Sequence, residues 1–217
     1  MSKQIKNLEL GIDSSLSYCS ITLFKNKKIF WDDFKKNDFG HEKNLSLMLQ
    51  KMLFETQINP KFISLLHLNN GPARFTAIRN CHALMKGFFF GHKVRILSYK
   101  IFEHYFLGVN QSYKKNILCI IDTNRRDLAI QKLNPKGKLI GKTKTYLIDD
   151  KLVELLSGDY VLMGNGIEKL KKIKDYSFIK KRLMGPIELK SNYFLNNSYT
   201  KKPQEKFPKI IYPYSPI

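Results

Sequence analysis

Asn70-Gly71-Pro72-Ala73-Arg74-Phe75-Thr76-Ala77-Ile78-Arg79 is a loop that runs into a helix, and the patterns on either side of it set the fold class. Upstream, Phe62–Leu68 is an apolar run of strand length. Downstream, Phe75–Phe90 puts Ile78, Cys81, Met85, Phe88 and Phe89 on one helical arc and Arg79, His82 and Lys86 on a polar stripe. Gly91 stops that helix, and Val94–Leu97 supplies the next strand. Strand, Gly-Pro loop, helix, strand is the repeating unit of an α/β protein.

Towards the N-terminus, Leu8–Asp13, Tyr18–Phe24 and Ile29–Phe34 read as three antiparallel strands joined by Ser14–Ser17 and Lys25–Lys28. His41–Thr56 reads as a helix whose Leu45, Met48, Leu49, Met52 and Leu53 face a core. Leu47 and Phe54 lie on the opposite side of that helix. Such a helix is covered either by a second layer of its own domain or by a partner. Towards the C-terminus, Tyr99–Leu107 is a short helix and Ile117–Asp122, Leu128–Leu133 and Leu139–Tyr146 are strands. Leu152–Leu156 is a helix, Tyr160–Met163 a strand, and Gly164–Gly166 a turn before a Lys-rich helix. Ile187–Leu195 is expected to be a last helix, Ser198–Pro208 a linker, and Ile210–Tyr214 a strand or an anchored tail. Both halves open with a strand ending in Asp (Asp13, Asp122), which suggests a duplicated α/β architecture. The division expected is an N-terminal lobe over 1–108 and a smaller C-terminal lobe and tail over 109–217.

The 217 residues suffice for a buried core without disulfides or metals. No apolar run approaches the ~18 residues of a membrane span, and Met1–Asn7 has no signal-peptide character, so a cytoplasmic location is expected. Cys19, Cys81 and Cys119 sit in apolar contexts and read as buried thiols. The five histidines contain no i, i+4 pair and no H-E-x-x-H, so no helix-borne metal site is expected. The net charge of +20 would steer polyanions. Only 6 of the 38 basic residues are Arg, however, and Lys is the poorer residue for bidentate recognition. A selected basic surface and a compositional bias towards Lys, Asn, Ile and Phe both remain open. Lys169–Lys174 with Lys180–Arg182 is either a basic binding face or a solvated helix.

The 70–79 loop resembles the G-P-G-S-F-T-G-[LIV]-R signature of the TsaB (YeaZ) family, the dimerization subunit of the bacterial tRNA threonylcarbamoyladenosine synthase. Gly71, Pro72, Phe75, Thr76, Ile78 and Arg79 match it in register. Asp122-Thr123-Asn124-Arg125-Arg126-Asp127 is similar to the family's D-A-R-x-x-[ED] segment, and Pro208–Tyr212 to its P-x-Y-L-R ending. The departures are Ala73 and Ala77 for glycine, Arg74 for serine, Asn124 for arginine and Tyr214 for the tail's arginine. Glycines in a phosphate loop allow close backbone approach to the anion, so nucleotide contact here is expected to be weakened. Arg74 either meets a phosphate itself or is a solvated loop residue.

The resemblance implies an actin-like ATPase (ASKHA) fold of two related α/β lobes with mixed sheets. It also implies a non-catalytic subunit, an inactive member of a transferase complex. Its expected partners are a TsaD-like catalytic subunit, a TsaE-like ATPase and, through the complex, tRNA; a homodimer in isolation is the alternative use of the same surface. The expected interface residues are Leu47, Phe54, Leu84 and Phe88. The expected vestiges of a nucleotide site are Asp13, Ser14, Gly71, Arg74 and Thr76, with no cofactor in the isolated subunit and ATP or ADP allowed at the heterodimer boundary. The rival readings are a nucleotide-dependent enzyme of the actin-like or sugar-kinase class, a glycoprotease-like metallopeptidase, which the missing histidine pair opposes, and a stand-alone RNA-binding protein.

Overall fold

The computed structural model describes residues 8–36, 41–109, 113–170, 182–183, 188–196 and 201–212, with backbone alone at 41 and 42. The first sheet has five strands in the order β3-β2-β1-β4-β5: β1 (Leu8–Asp13), β2 (Tyr18–Lys25), β3 (Lys28–Lys36), β4 (Ile63–Asn69) and β5 (Arg95–Tyr99). β1, β2 and β3 are antiparallel, while β4 and β5 run parallel to β1. The β2–β3 turn has Asn26 and Lys27 at positive φ, the pair of left-handed residues that a two-residue hairpin needs. The second sheet repeats the plan with four strands in the order β8-β7-β6-β9: β6 (Ile117–Ile121), β7 (Leu128–Leu133), β8 (Leu139–Tyr146) and β9 (Val161–Met163). There too the first three strands are antiparallel and the fourth is parallel to the first. This is a duplicated arrangement of two related α/β lobes with mixed sheets.

Helices α1 (His41–Thr56) and α2 (Phe75–Phe88) cover one face of the first sheet. Leu45, Met48, Leu49 and Met52 of α1 and Cys81 and Met85 of α2 pack on Leu8, Leu10 and Ile12 of β1. The helix α1 ends in a left-handed cap, Gln57, whose N–H donates to the Leu53 carbonyl. In the second lobe α4 (Asp150–Ser157) and α5 (Ile167–Leu170) cover the outer face, burying Leu118, Ile120, Leu128 and Ile130.

The opposite faces of the two sheets enclose α3 (Ile101–Leu107). Phe102 and Tyr105 of α3 pack there with Leu16 and Tyr18 of the first lobe and Ile117, Cys119 and Leu133 of the second. A 3-10 helix at Ser191–Asn196, in the half of the chain expected to form the second lobe and tail, crosses back and lies on β1, β2 and α3.

Three expectations need correction. The segment expected to be a helix at Ile187–Leu195 is, where described, a 3-10 helix, because Ser191 and Phe194 are drawn into the first lobe. The expected linker is tied down: Gln204 pairs antiparallel with Ile96 at the edge of β5, and the Lys201 ammonium donates to the Ser98 carbonyl and meets Glu103. The polar stripe on α2 is broken, since His82 is buried and only Arg79 and Lys86 face solvent. Residues 171–181, which hold most of the two basic segments, lie outside the described residues, as do Gly40, Ile187, Ser198 and Tyr214.

Candidate functional site

Asp13, at the C-terminal end of β1, is buried. Its Oδ1 accepts from the Ser15 N–H at 2.7 Å and the Ser15 hydroxyl at 2.5 Å, an Asx turn that starts the link to β2. Its Oδ2 accepts from Asn69 Nδ2 at 3.0 Å and lies 2.7 Å from His104 Nδ1. A carboxylate has about four acceptor positions, and four contacts from within the protein fill them. The other His104 nitrogen, Nε2, donates to the Lys190 carbonyl at 3.0 Å. Burial by itself would raise the Asp13 pKa, but His104 and the two Ser15 donors outweigh it and hold the carboxyl below its ordinary value.

Asn69 joins this cluster to the 70–79 loop. Its side-chain oxygen accepts from the Gly71 N–H at 2.9 Å, and its backbone carbonyl accepts from His82 Nε2 at 2.9 Å. The loop's amides are likewise turned inward: Asn70 N–H donates to the Tyr99 carbonyl and Arg74 N–H to the Ser15 carbonyl. Gly71 lies at φ +104, and a side chain there would overlap the carbonyl oxygen of Ile211. The C-terminal tail thus occupies the space that the glycine leaves open, held by an Ile211 N–H donated to the Asn70 carbonyl at 2.7 Å. Tyr212 completes the cover by packing on Phe75, ring centres 5.2 Å apart, with the Arg79 guanidinium on the Phe75 ring at 4.9 Å.

The expected vestigial residues therefore converge at one place without forming an open phosphate cradle. Ser14 is buried and donates to the Ala77 carbonyl. Arg74 is half-buried, neither freely solvated nor paired at Nε, and Thr76 is exposed on the first turn of α2.

Beside this cluster lies a second histidine pair that the sequence reading did not single out. The side chain of His67, on β4, meets Glu9 Oε2 at 2.7 Å and the Tyr99 hydroxyl at 3.1 Å. Phe194 inserts between the two histidines, with ring centres 4.0 Å from His104 and 5.6 Å from His67. Ser191 anchors the same segment to the Ser20 and Thr22 hydroxyls. Strand parity was the available signal: Glu9, Gly11 and Asp13 share one face of β1, and His67 and Asn69 share one face of β4. The partner to that face comes from Phe194, too far along the chain for any local pattern to announce.

The second lobe carries a reduced copy. Asp122 Oδ1 accepts from the Asn124 N–H and from Lys169 at 2.7 Å, and Asn165 bonds the Asp122 backbone. Gly164, at φ +105, lies against Ile120 as Gly71 lies against Ile211. Asn124, Arg125 and Arg126 are exposed. Among the described residues no three His, Cys, Asp or Glu side chains converge as a metal site would need.

On the outer side of the first lobe, Leu47 and Phe54 of α1 are 45 % and 78 % exposed. Leu84 and Phe88 of α2 were expected on the same open surface, but they are half-buried against the lobe's own core. Their places on the open side of α2 are taken by Arg79, Ala83, Gly87 and, just past its end, Phe90 at 86 % exposed. A side chain at Gly87 would meet nothing.

No family model matches the sequence. Two curated relatives do, both named tRNA threonylcarbamoyladenosine biosynthesis protein TsaB. The one from Buchnera aphidicola subsp. Schizaphis graminum is 23 % identical over 192 residues, covering 84 % of this chain and 90 % of the relative. The one from Buchnera aphidicola subsp. Acyrthosiphon pisum is 24 % identical over 155 residues, 69 % of each chain. Over most of its length the chain is thus similar to proteins named TsaB. Solved structures share the fold of this chain. YeaZ from Pseudomonas aeruginosa superposes with a TM-score of 0.65 at 14 % identity, covering 88 % of this chain and 89 % of that one. A second Pseudomonas aeruginosa structure, named as an uncharacterized protein with similarity to peptidase YeaZ, gives 0.65 at 15 % identity over 87 % and 88 %.

Proposed function

We propose that this chain is a non-catalytic subunit in tRNA threonylcarbamoyladenosine biosynthesis, scaffolding a TsaD-type catalytic subunit and, with it, a TsaE-type ATPase. The role in tRNA modification rests on the two TsaB relatives. The observation that carries the non-catalytic part is the state of Asp13. In an actin-like nucleotide site this carboxylate must face the metal's water shell; here its acceptor positions are filled from inside, Phe194 stacks on its partner His104, and the tail covers the neighbouring Gly71. The chain's contribution is then a surface, and α1 with α2 offers it. Leu47, Phe54 and Phe90 are large apolar groups left in water beside the flat stripe at Ala83 and Gly87. Such a face lets partner helices approach closely, and two helices can supply the roughly 800 Å² a standard interface needs from each side.

Co-expression with the TsaD-type subunit tests this. Leu47→Asp combined with Phe54→Asp is expected to abolish co-purification while leaving a folded chain, because neither side chain belongs to the core. Retention of the partner by the double variant would place the interface elsewhere. ATP turnover by the purified chain alone would favour the rival reading, a nucleotide-dependent enzyme of the actin-like or sugar-kinase class. The same surface can pair two copies of the chain, so sedimentation with and without the catalytic subunit should show one state replacing the other.

A further inference from the structure

The outer face of the second sheet holds an open cavity of about 240 Å³ between β8 and α4. Leu118, Ile130 and Leu155 form its apolar floor, and Lys132, Lys142 and Lys144 stand around it. Among the described residues no carboxylate lines it. Lys142 and Lys144 taken alone would be ordinary edge protection, since β8 is an outer strand and lysines there deter pairing with other chains. Lys132 has no such explanation. It stands on β7, inside the sheet between β8 and β6, and is half-buried. Its ammonium lies over the Tyr160 ring at 4.9 Å and 3.4 Å from the Tyr160 hydroxyl, and no carboxylate among the described residues lines the cavity to balance its charge. Three cations round an apolar floor repel one another, and a negative group among them relieves that repulsion.

We propose that this cleft binds a small amphipathic organic anion, its apolar body on Leu118, Ile130 and Leu155 and its carboxylate or phosphate head among the three lysines. The volume equals that of about eight waters at ~30 Å³ each. It lies below the usual 300–1,000 Å³ of drug-sized sites. That suits a short acyl chain or a single aromatic ring system and excludes a dinucleotide. The site lies away from α1 and α2 and is independent of the partner interface proposed above.

Titration of the full chain with anilinonaphthalene sulfonate, an aromatic anion that fluoresces when desolvated, tests the proposal. One saturable site is expected, weakening as salt rises. Lys142→Ser with Lys144→Ser, both exposed positions, should weaken it at least tenfold with unchanged circular dichroism and unchanged co-purification with the catalytic subunit. Lys132→Met, which keeps the packing volume, should do the same. Displacement by octanoate identifies a carboxylate ligand with an acyl body; displacement by AMP identifies a phosphate with an aromatic one. Probe binding that does not saturate, that survives the lysine substitutions, or that yields to tRNA but to neither small anion overturns the proposal, the last outcome in favour of an RNA-binding face.

Discussion

Asp13 and Asp122 hold equivalent places in the two lobes, each at the end of the first strand of its sheet, and their surroundings have drawn them apart. The Asp13–His104 pair is wholly buried, whereas the Asp122 and Lys169 side chains are 20 % and 27 % exposed. Breaking a buried pair by removing one partner leaves the other uncompensated and costs about 3–5 kcal/mol. A partly solvated pair is worth ~1 kcal/mol or less. Asp13→Ala is therefore expected to lower the urea midpoint several-fold more than Asp122→Ala, in matched unfolding curves. His82 gives a separate signal. Burial holds its pKa below the ordinary 6.5, with Lys86 adding a smaller push the same way. The unfolded chain then binds more protons than the folded one, so this contribution is complete above about pH 6.5 and is lost as the pH falls towards the folded value. The depressed Asp13 adds a loss only in the acid range below its own ordinary value of 3.8. Chemical denaturation at pH 7.5 and 5.5 should show the wild type weakening at the lower pH. His82→Gln, which keeps a donor for the Asn69 carbonyl, should weaken less across that interval.

At the scale of elements, the 70–79 loop shows what the sequence could and could not disclose. Its position between β4 and α2 was legible because apolar period and Gly-Pro punctuation are local signals. The same holds for the β6–β8 meander, whose Leu128–Leu133 and Leu139–Tyr146 strands agree with the structure to the residue. What faces the loop was not legible. Gly71 looked like a residue kept for a phosphate, and the group against it is the backbone of Ile211, which lies in the same chain but far from it in sequence. Leu84 misled for a related reason. The resemblance put it on the partner surface, but α1 and α2 pack side by side, and Leu84 is half-buried against the lobe's own core. Gly71→Ala should therefore act through the tail. A residue without glycine's freedom at this φ costs about 1–3 kcal/mol, and the added methyl must also displace Ile211. The expected result is faster proteolysis after residue 200 together with a lower melting temperature. Loss of melting temperature with an undisturbed tail would mean that backbone strain alone is at work.

At the scale of the whole molecule, the chain is closed by its own C-terminal part in two steps that differ in energy. The first is Phe194 with Ser191. Phe194 is fully buried against three rings, those of His67, Tyr99 and His104, and a side chain at Gly11 would press on Phe194 and the Ser191 carbonyl at 3.0 Å. Burial of such a side chain contributes roughly 1.5–3 kcal/mol, and replacing it by Ala leaves a cavity that raises the loss to about 3–5 kcal/mol. The second step is the strap from Lys201 to Tyr212, which lies across the β5 edge and the Gly71 loop through a few backbone hydrogen bonds and rests on half-buried side chains. Few buried apolar contacts and many peripheral hydrogen bonds mark a segment that opens well below the global unfolding free energy. Stopping the chain after Asn196 should thus leave the fold standing and its melting temperature little changed. The amide of Ile96, which donates to the Gln204 carbonyl at 2.7 Å, should lose its protection against hydrogen exchange. Amides in β1 and β6, paired within their sheets, should keep theirs. Stopping before Glu188 instead removes the Phe194 plug and leaves the Asp13–His104 and Glu9–His67 pairs facing an empty space, so that chain is expected to unfold as a whole. If the two truncations behave alike, the strap and the plug form one cooperative unit, and the tail is as much a part of the first lobe's core as α1.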